Sequence, residues 1–322
     1  MTKNQVTRPP EKKAHEVFKI DFIKNAGLFG GISLVLVVVS IVFLMIKGIT
    51  YGIDFRGGTE IQVKFAQPVT IDDLRTKLTG LDVGEVGVQG FGEGSEFIIR
   101  FQGRGGASDK ETNEMLISDI AKVRGVVENE FKAQGPDIRR VDSVGPQVGA
   151  ELKKNGLLAV FYCLMVILIY VALRFDYKFA PGAVICLAHD AIITLAIFVA
   201  VGKEVNIPIL AAILTLIGYS LNDTIVVFDR IRETEGNFKD EGTAYVINKS
   251  INDMLTRTLI TSGTTFVSSL FLYLFAGGTI EDIAFAMCIG IFFGTYSSIF
   301  VAAPLILVTE KMKFLKPTPA KA

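Results

Sequence analysis

Three places in this sequence set ionisable side chains in or at the edge of long apolar runs, where such groups either carry protons or hold helices together. His189-Asp190 interrupts the run 181–201, and Asn222-Asp223-Thr224 stands near the end of the run 207–228. Arg257 and Thr261 open the run that continues through 259–276, four residues apart and so on one helix face, with Thr264 and Thr265 about a turn beyond. A charged group at mid-bilayer costs about 2.5–3.5 kcal/mol even on the lenient insertion scale, so each needs a partner or a task. A carboxylate and a guanidinium facing each other between helices lower each other's desolvation cost, and one proton on Asp223 switches its attraction to Arg257 off. That makes the pair a candidate proton gate. The rival reading is structural: the pair joins two helices, Asn222, Thr224 and Ser262 supply interhelical hydrogen bonds, and His189 and Asp190 are satisfied packing groups.

The elements that must position these groups follow from hydropathy. Half of the residues are hydrophobic and a fifth are charged, which suits a membrane protein only if the charges are segregated. They are, between six apolar stretches at 26–46, 156–173, 181–201, 207–228, 259–276 and 283–308. Basic residues cluster before the first stretch (Lys12, Lys13, Lys19, Lys24), after the second (Arg174, Lys178), after the fourth (Arg230, Arg232, Lys239, Lys249, Arg257) and after the sixth (Lys311, Lys313, Lys316). The alternate short connections carry only Lys203, so both termini are expected in the cytoplasm. His189-Asp190 then lies roughly 13 Å, and Asp223 roughly 9 Å, from the cytoplasmic ends of their spans.

Acidic Glu11, Glu16 and Asp21 precede the first span and Lys47-Gly48-Ile49 follows it, the pattern of a retained anchor and not of a cleaved signal. Cys163, Cys186 and Cys288 all fall inside spans, so no disulfide framework is expected. Gly290, Gly294, Ser297 and Ser298 are expected to allow close helix approach and nothing more. The sequence thus divides into a segment 1–25, a first span 26–46, an inserted domain 47–155, spans two to six over 156–308 with a cytoplasmic loop 229–257, and a tail 309–322. The second half of that loop has an amphipathic helical pattern.

Within the insertion, 59–65 alternates with period two and puts Ile61, Val63 and Phe65 on one strand face. Thr70 caps a short helix with Asp72 and Asp73 in its first turn. Strands at 85–91 and 96–101 are joined by Gly92 and Gly94; a helix from Ser108 to 131 buries Met115, Ile120, Val123 and Val127; a last strand covers 138–144. The fold class is a six-helix membrane bundle carrying an inserted α+β domain of ferredoxin-like βαββαβ order, a superfold that fixes no function. The domain shows no metal-ligand spacing, no Ser-His-Asp set and no phosphate loop, so no enzyme is expected.

Five segments taken together resemble the SecD/SecF family of bacterial protein-export membrane subunits, in its SecF branch and within the RND transporter superfamily. They are Asp54-Phe55-Arg56-Gly57-Gly58, Gly145-Pro146-Gln147-Val148-Gly149, Ala188-His189-Asp190, Leu221-Asn222-Asp223-Thr224 and Arg257-Thr258-Leu259-Ile260-Thr261. The resemblance implies a subunit of the bacterial cytoplasmic membrane that pairs with SecD, associates with the SecYEG channel and YajC, and handles emerging polypeptides on the outer side. It implies use of the proton gradient after the ATP-driven stage, no cofactor, and no nucleic acid. By matching motifs it places proton passage at Asp223, Arg257 and Thr261, to which Asn222, His189 and Asp190 are added from their positions. Asp54, Arg56, Gly57, Gly58, Gly145, Pro146 and Gly149 form the connection at the base of the domain. Arg56 is a departure, since SecF sequences often carry Thr there and Arg is more usual in SecD. Either H⁺ or Na⁺ fits as coupling ion.

Overall fold

The computed structural model describes residues 20–91, 95–102, 109–175 and 178–311. Lys12, Lys13, Lys19, Glu11, Glu16, Gly92, Gly94, Ser108, Lys313 and Lys316 lie outside them. Helix Ala26–Lys47 (α1) leads into the single turn Ile53–Arg56 (α2) and strand Gly58–Phe65 (β1). Helix Ile71–Thr79 (α3), strands Val86–Gly90 (β2) and Glu96–Phe101 (β3), helix Asp109–Glu130 (α4) and strand Pro136–Val144 (β4) follow. The remainder is helical: Pro146–Arg174 (α5), Ala180–Ala200 (α6), Ile207–Asn237 (α7), Thr243–Phe275 (α8), Thr279–Ser297 (α9) and Ala303–Lys311 (α10). A π-helical turn, Ser298–Ala302, joins α9 to α10. Six spans, α1, α5, α6, α7, α8 and the joined α9–α10, are long and apolar enough to cross a membrane, so the chain is a multi-pass membrane protein.

In the sheet the order is β2-β3-β1-β4 with every pair antiparallel, and a register shift at Gln62/Val63 bends β1 against β4. The alternation of β1 buries Ile61, Val63 and Phe65 with Leu74 and Leu78 of α3 and Val123 and Val127 of α4 in one apolar cluster. Met115 and Ile120, expected on the same stripe, are only half-buried. Thr70 Oγ1 accepts from the Asp73 N–H at 3.1 Å and donates to its carboxylate at 2.6 Å, a reciprocal cap worth about 1 kcal/mol. The other sheet face is polar, and on it Arg100 Nε donates to Glu60 at 2.7 Å while Gln62 Nε2 donates to Glu96 at 2.6 Å.

Two stretches differ from the hydropathy reading. α5 begins at Pro146, well before the apolar run, because Gly145-Pro146 starts the helix as N-cap and N1. The segment 229–257 is helical in its second half, as its pattern suggests, and also in its first, all but 238–242, since α7 and α8 both run on beyond their apolar stretches as a hairpin pinned by Arg230 Nη2–Asp253 Oδ2 at 2.6 Å. The apolar stripe Val246, Ile247 and Ile251 on that hairpin is covered by the chain itself, packing with Phe22, Ile231 and Ile306. Asn248 Oδ1 accepts from the Phe22 N–H at 2.8 Å, and Asn252 accepts from the Ile20 N–H at 3.0 Å and donates to the Ile20 carbonyl at 2.8 Å. In the bundle α6 and α9 lie innermost, whereas α1 and α5 are the most exposed.

Candidate intramembrane and coupling sites

Three helices meet at Asp190. Its Oδ1 lies 2.8 Å from His189 Nδ1, and its Oδ2 accepts from Ser220 of α7 at 2.6 Å and from Ser297 of α9 at 2.9 Å. Ser297 in turn accepts from the Cys186 thiol at 3.0 Å, and Thr224 and Ser298 hydroxyls meet at 2.9 Å. Asp190, Thr224, Ser297 and Ser298 are fully buried. The knot requires α7 and α9 to approach closely, and Gly294 permits it: a Cβ there would come within 3.2 Å of Ser220 and 3.5 Å of the Asp190 carboxylate. The His189 ring lies against Tyr296, whose hydroxyl donates to the Phe29 carbonyl of α1 at 3.0 Å. Among the described residues His189 Nε2 is buried without a hydrogen-bond partner.

Asp223 sits three residues after Ser220 and faces a different helix. Its Oδ2 accepts from Ser262 of α8 at 2.7 Å. Beside it the Tyr219 hydroxyl reaches the Thr261 carbonyl and Thr265 Oγ1, each at 3.1 Å. The expected ion pair is not formed: among the described residues Asp223 and Arg257 are not in contact, and Arg257 is exposed. The reason is helical phase, because Ser262 is five residues past Arg257, about 140° around the helix. Arg257 nonetheless lies within electrostatic reach of Asp223. The Thr261 hydroxyl donates to its own helix, to the carbonyls of Arg257 and Thr258 at 3.0 and 3.1 Å, and Asn222 is exposed. Asp190 and Asp223 thus occupy two separate sites that share α7.

The sequence reading missed Ser220 as a ligand of Asp190 and took Ser297 and Ser298 for packing residues. Their one signal is a small hydroxyl at helical spacing beside a glycine, shared with inert interfaces.

The base motif reaches the same helix. Asp54 Oδ2 accepts from the Ile207 N–H at 2.9 Å and Asn206 Oδ1 from Ile209 at 3.0 Å, so two side chains cap the α7 N-terminus. Gly57 and Gly58 have φ of +76° and +131°, and a Cβ on Gly57 would sit 2.8 Å from Pro146 Cα, one on Gly149 2.9 Å from the Gly57 nitrogen. Only glycine allows α2, β1 and α5 to interlock this tightly. Arg56 is exposed beside a cavity between sheet and bundle.

A multi-pass bundle with buried acids, joined through a glycine-locked base to an antiparallel sheet, defines a polytopic membrane protein with a folded insertion after its first span. The chain belongs to the SecD/SecF family: the description "Protein export membrane protein SecD/SecF, C-terminal" matches residues 126–312 and "SecD/SecF GG Motif" matches 42–69. It is 43% identical over 301 residues to protein translocase subunit SecF of Calditerrivibrio nitroreducens, covering 91% of this chain and 95% of that one. With the SecF subunit of Escherichia coli O157:H7 it shares 41% identity, covering 89% and 87%. It resembles the crystal structure of SecDF, a translocon-associated membrane protein from Thermus thermophilus, with TM-score 0.79 and 32% identity over 95% of this chain. The Super-membrane-facing form of SecDF gives 0.66 at the same identity, over 94% of this chain. The chain spans 40% of the length of those SecDF chains.

Proposed function

We propose that this chain is an accessory subunit of a protein-export translocase that pairs with SecD and uses the proton gradient to promote a late, ATP-independent stage of translocation. The observation that carries the reading is Asp223: a carboxyl group inside a span, held by one hydroxyl at the α7–α8 seam, beside an exposed arginine. Losing or gaining a proton there changes one contact and the field felt by Arg257. Because α7 is capped by Asp54, movement of α7 pulls on the base of the sheet. One charge crossing about 100 mV supplies about 2.3 kcal/mol per proton.

In this reading the Lys/Arg pattern puts both termini in the cytoplasm and the sheet outside the bacterial cytoplasmic membrane. The sheet and its two helices form a ferredoxin-like domain at 47–155, a reading the strand order β2-β3-β1-β4 supports. SecYEG, YajC and unfolded exported polypeptides are its further partners, and it takes no cofactor. Asp223 is the titrating group; Arg257 and Thr261 flank it, Asn222 borders it, and His189 and Asp190 are a second polar station. The test is gradient-stimulated translocation into vesicles containing the SecD complex with Asp223→Asn. Loss of stimulation is expected, with partial retention in Asp223→Glu; undiminished stimulation in Asp223→Asn sinks the role.

A further inference from the structure

Away from its chain connections at the base, the described residues include two contacts that join the sheet to the bundle. The first is Arg100 of β3. Its guanidinium, already donating to Glu60 of β1 and to Gln89 of β2, each at 2.7 Å, also reaches Glu204 in the α6–α7 connection at 3.3 Å. Lys203, next in sequence, pairs with Glu281 at 3.3 Å and with Asp282, both in the first turn of α9. The second point is Phe91 at the end of β2, whose ring lies on Gly278 between α8 and α9; a Cβ at Gly278 would collide with it. Gly278 is also in a positive-φ conformation, at +66°, so both space and backbone call for glycine.

We propose that Arg100–Glu204 and Phe91–Gly278 form a two-point clasp that docks the sheet on the rim of the bundle and ties it to α9. Arg100 is the centre because it crosslinks two strands before it reaches the rim, so displacing Glu204 acts on the sheet as a body. The rim is tied to α9 through Lys203, and α9 carries Ser297, a ligand of Asp190. The clasp opens without unpacking an apolar core. Arg100 and Glu204 border a cavity of about 330 Å³ with Arg56, Glu85, Gln89 and Gln102, and both are about a quarter exposed, a partly wetted pair that separates into water. Its contribution is therefore modest and adjustable, which suits a contact that must let go.

Hydrogen–deuterium exchange of the full chain in lipid nanodiscs tests this. Glu204→Ala is expected to speed exchange of 86–101 and of 199–206 together, by roughly two- to five-fold. Phe91→Ala is expected to do the same and to include 276–280. Unchanged exchange in Glu204→Ala, or an increase confined to 199–206, would overturn the clasp, as would a Phe91→Ala effect that stops at its own loop. Should Glu204→Ala fail to insert, Glu204→Asp keeps the charge and shortens the arm, and the same joint loosening is required of it. The clasp stands apart from the proton reading: Asp223→Asn leaves both segments protected while ending gradient stimulation.

Discussion

Two buried aspartates on neighbouring helices, one span apart, are held in opposite ways. Asp190 is bound by His189 and by hydroxyls from α7 and α9 at the centre of the bundle, where α6 and α9 are most enclosed. Asp223 has one hydroxyl from α8, a helix most of whose span is open to its surroundings. Changing the charge of Asp190 disturbs contacts on three helices; changing that of Asp223 disturbs one. The first arrangement fixes helices relative to one another, and the second leaves a group free to alternate between states. The contrast lies in the number of donors and in what the neighbouring face is open to.

The comparison breaks first on stability. Asp190→Ala leaves Ser220 and His189 buried without this acceptor and returns Ser297 to the Gly294 carbonyl of its own helix, and is expected to cost about 3 kcal/mol or more in thermal unfolding of the purified chain. Asp223→Asn keeps a hydrogen-bond acceptor for Ser262 and should stay within about 1 kcal/mol of the parent. Equal losses for the two would show that both aspartates are structural, leaving the gate without a residue. A weaker effect sharpens the role of α7, which both sites share. Asp54→Ala removes a charged cap from its N-terminus and should lower stability by about 1 kcal/mol, while Asn206 retains the second cap. If Asp54→Ala also reduces gradient-stimulated translocation by more than its stability loss explains, the base transmits motion through α7; an effect on stability alone restricts Asp54 to capping.

What was legible in the sequence was what is local or periodic. The β1 alternation, the Thr70-Asp73 cap and the six apolar runs each depend on residues a few positions apart, and the structure forms them where the pattern put them. The polar sites were legible as residues and not as partners. Ser297 reads as a small packing residue until α9 closes on α7 at Gly294, which brings its hydroxyl to Asp190; three helices have to be placed before that contact exists. Arg257 and Asp223 read as a pair by charge, but helical phase puts Ser262 at the carboxylate. In the α7–α8 hairpin the helical pattern of the second half was legible, while the first half looked like a loop because its charges, such as Arg230 paired with Asp253, are satisfied across two helices, which hydropathy does not register.

The smallest expected effect is a pH dependence that separates the intramembrane acids from the rim. Glu204 lies between α6 and α7, where burial raises its carboxyl pKa above the ordinary range, partly offset by Arg100; Glu60 and Asp282 add to the rise and Arg56 opposes it. Lys203 and Glu281 complete the charged rim, and Glu85 borders the same cavity. A glutamate whose folded pKa lies above its unfolded value binds its proton more tightly when docked. Its contribution to stability is therefore complete below the unfolded pKa and is lost as pH rises through the folded one. The group is partly exposed, so the change should stay below about 1 kcal/mol. Unfolding midpoints of the parent and of Glu204→Gln, followed from about pH 4 to about pH 7, should show the parent losing ground as the carboxyl ionises. Gln keeps a carbonyl for Arg100 and cannot ionise, so its curve lacks this step. If the parent gains on Glu204→Gln as pH rises, attraction to Arg100 outweighs burial, and the rim is held by charge.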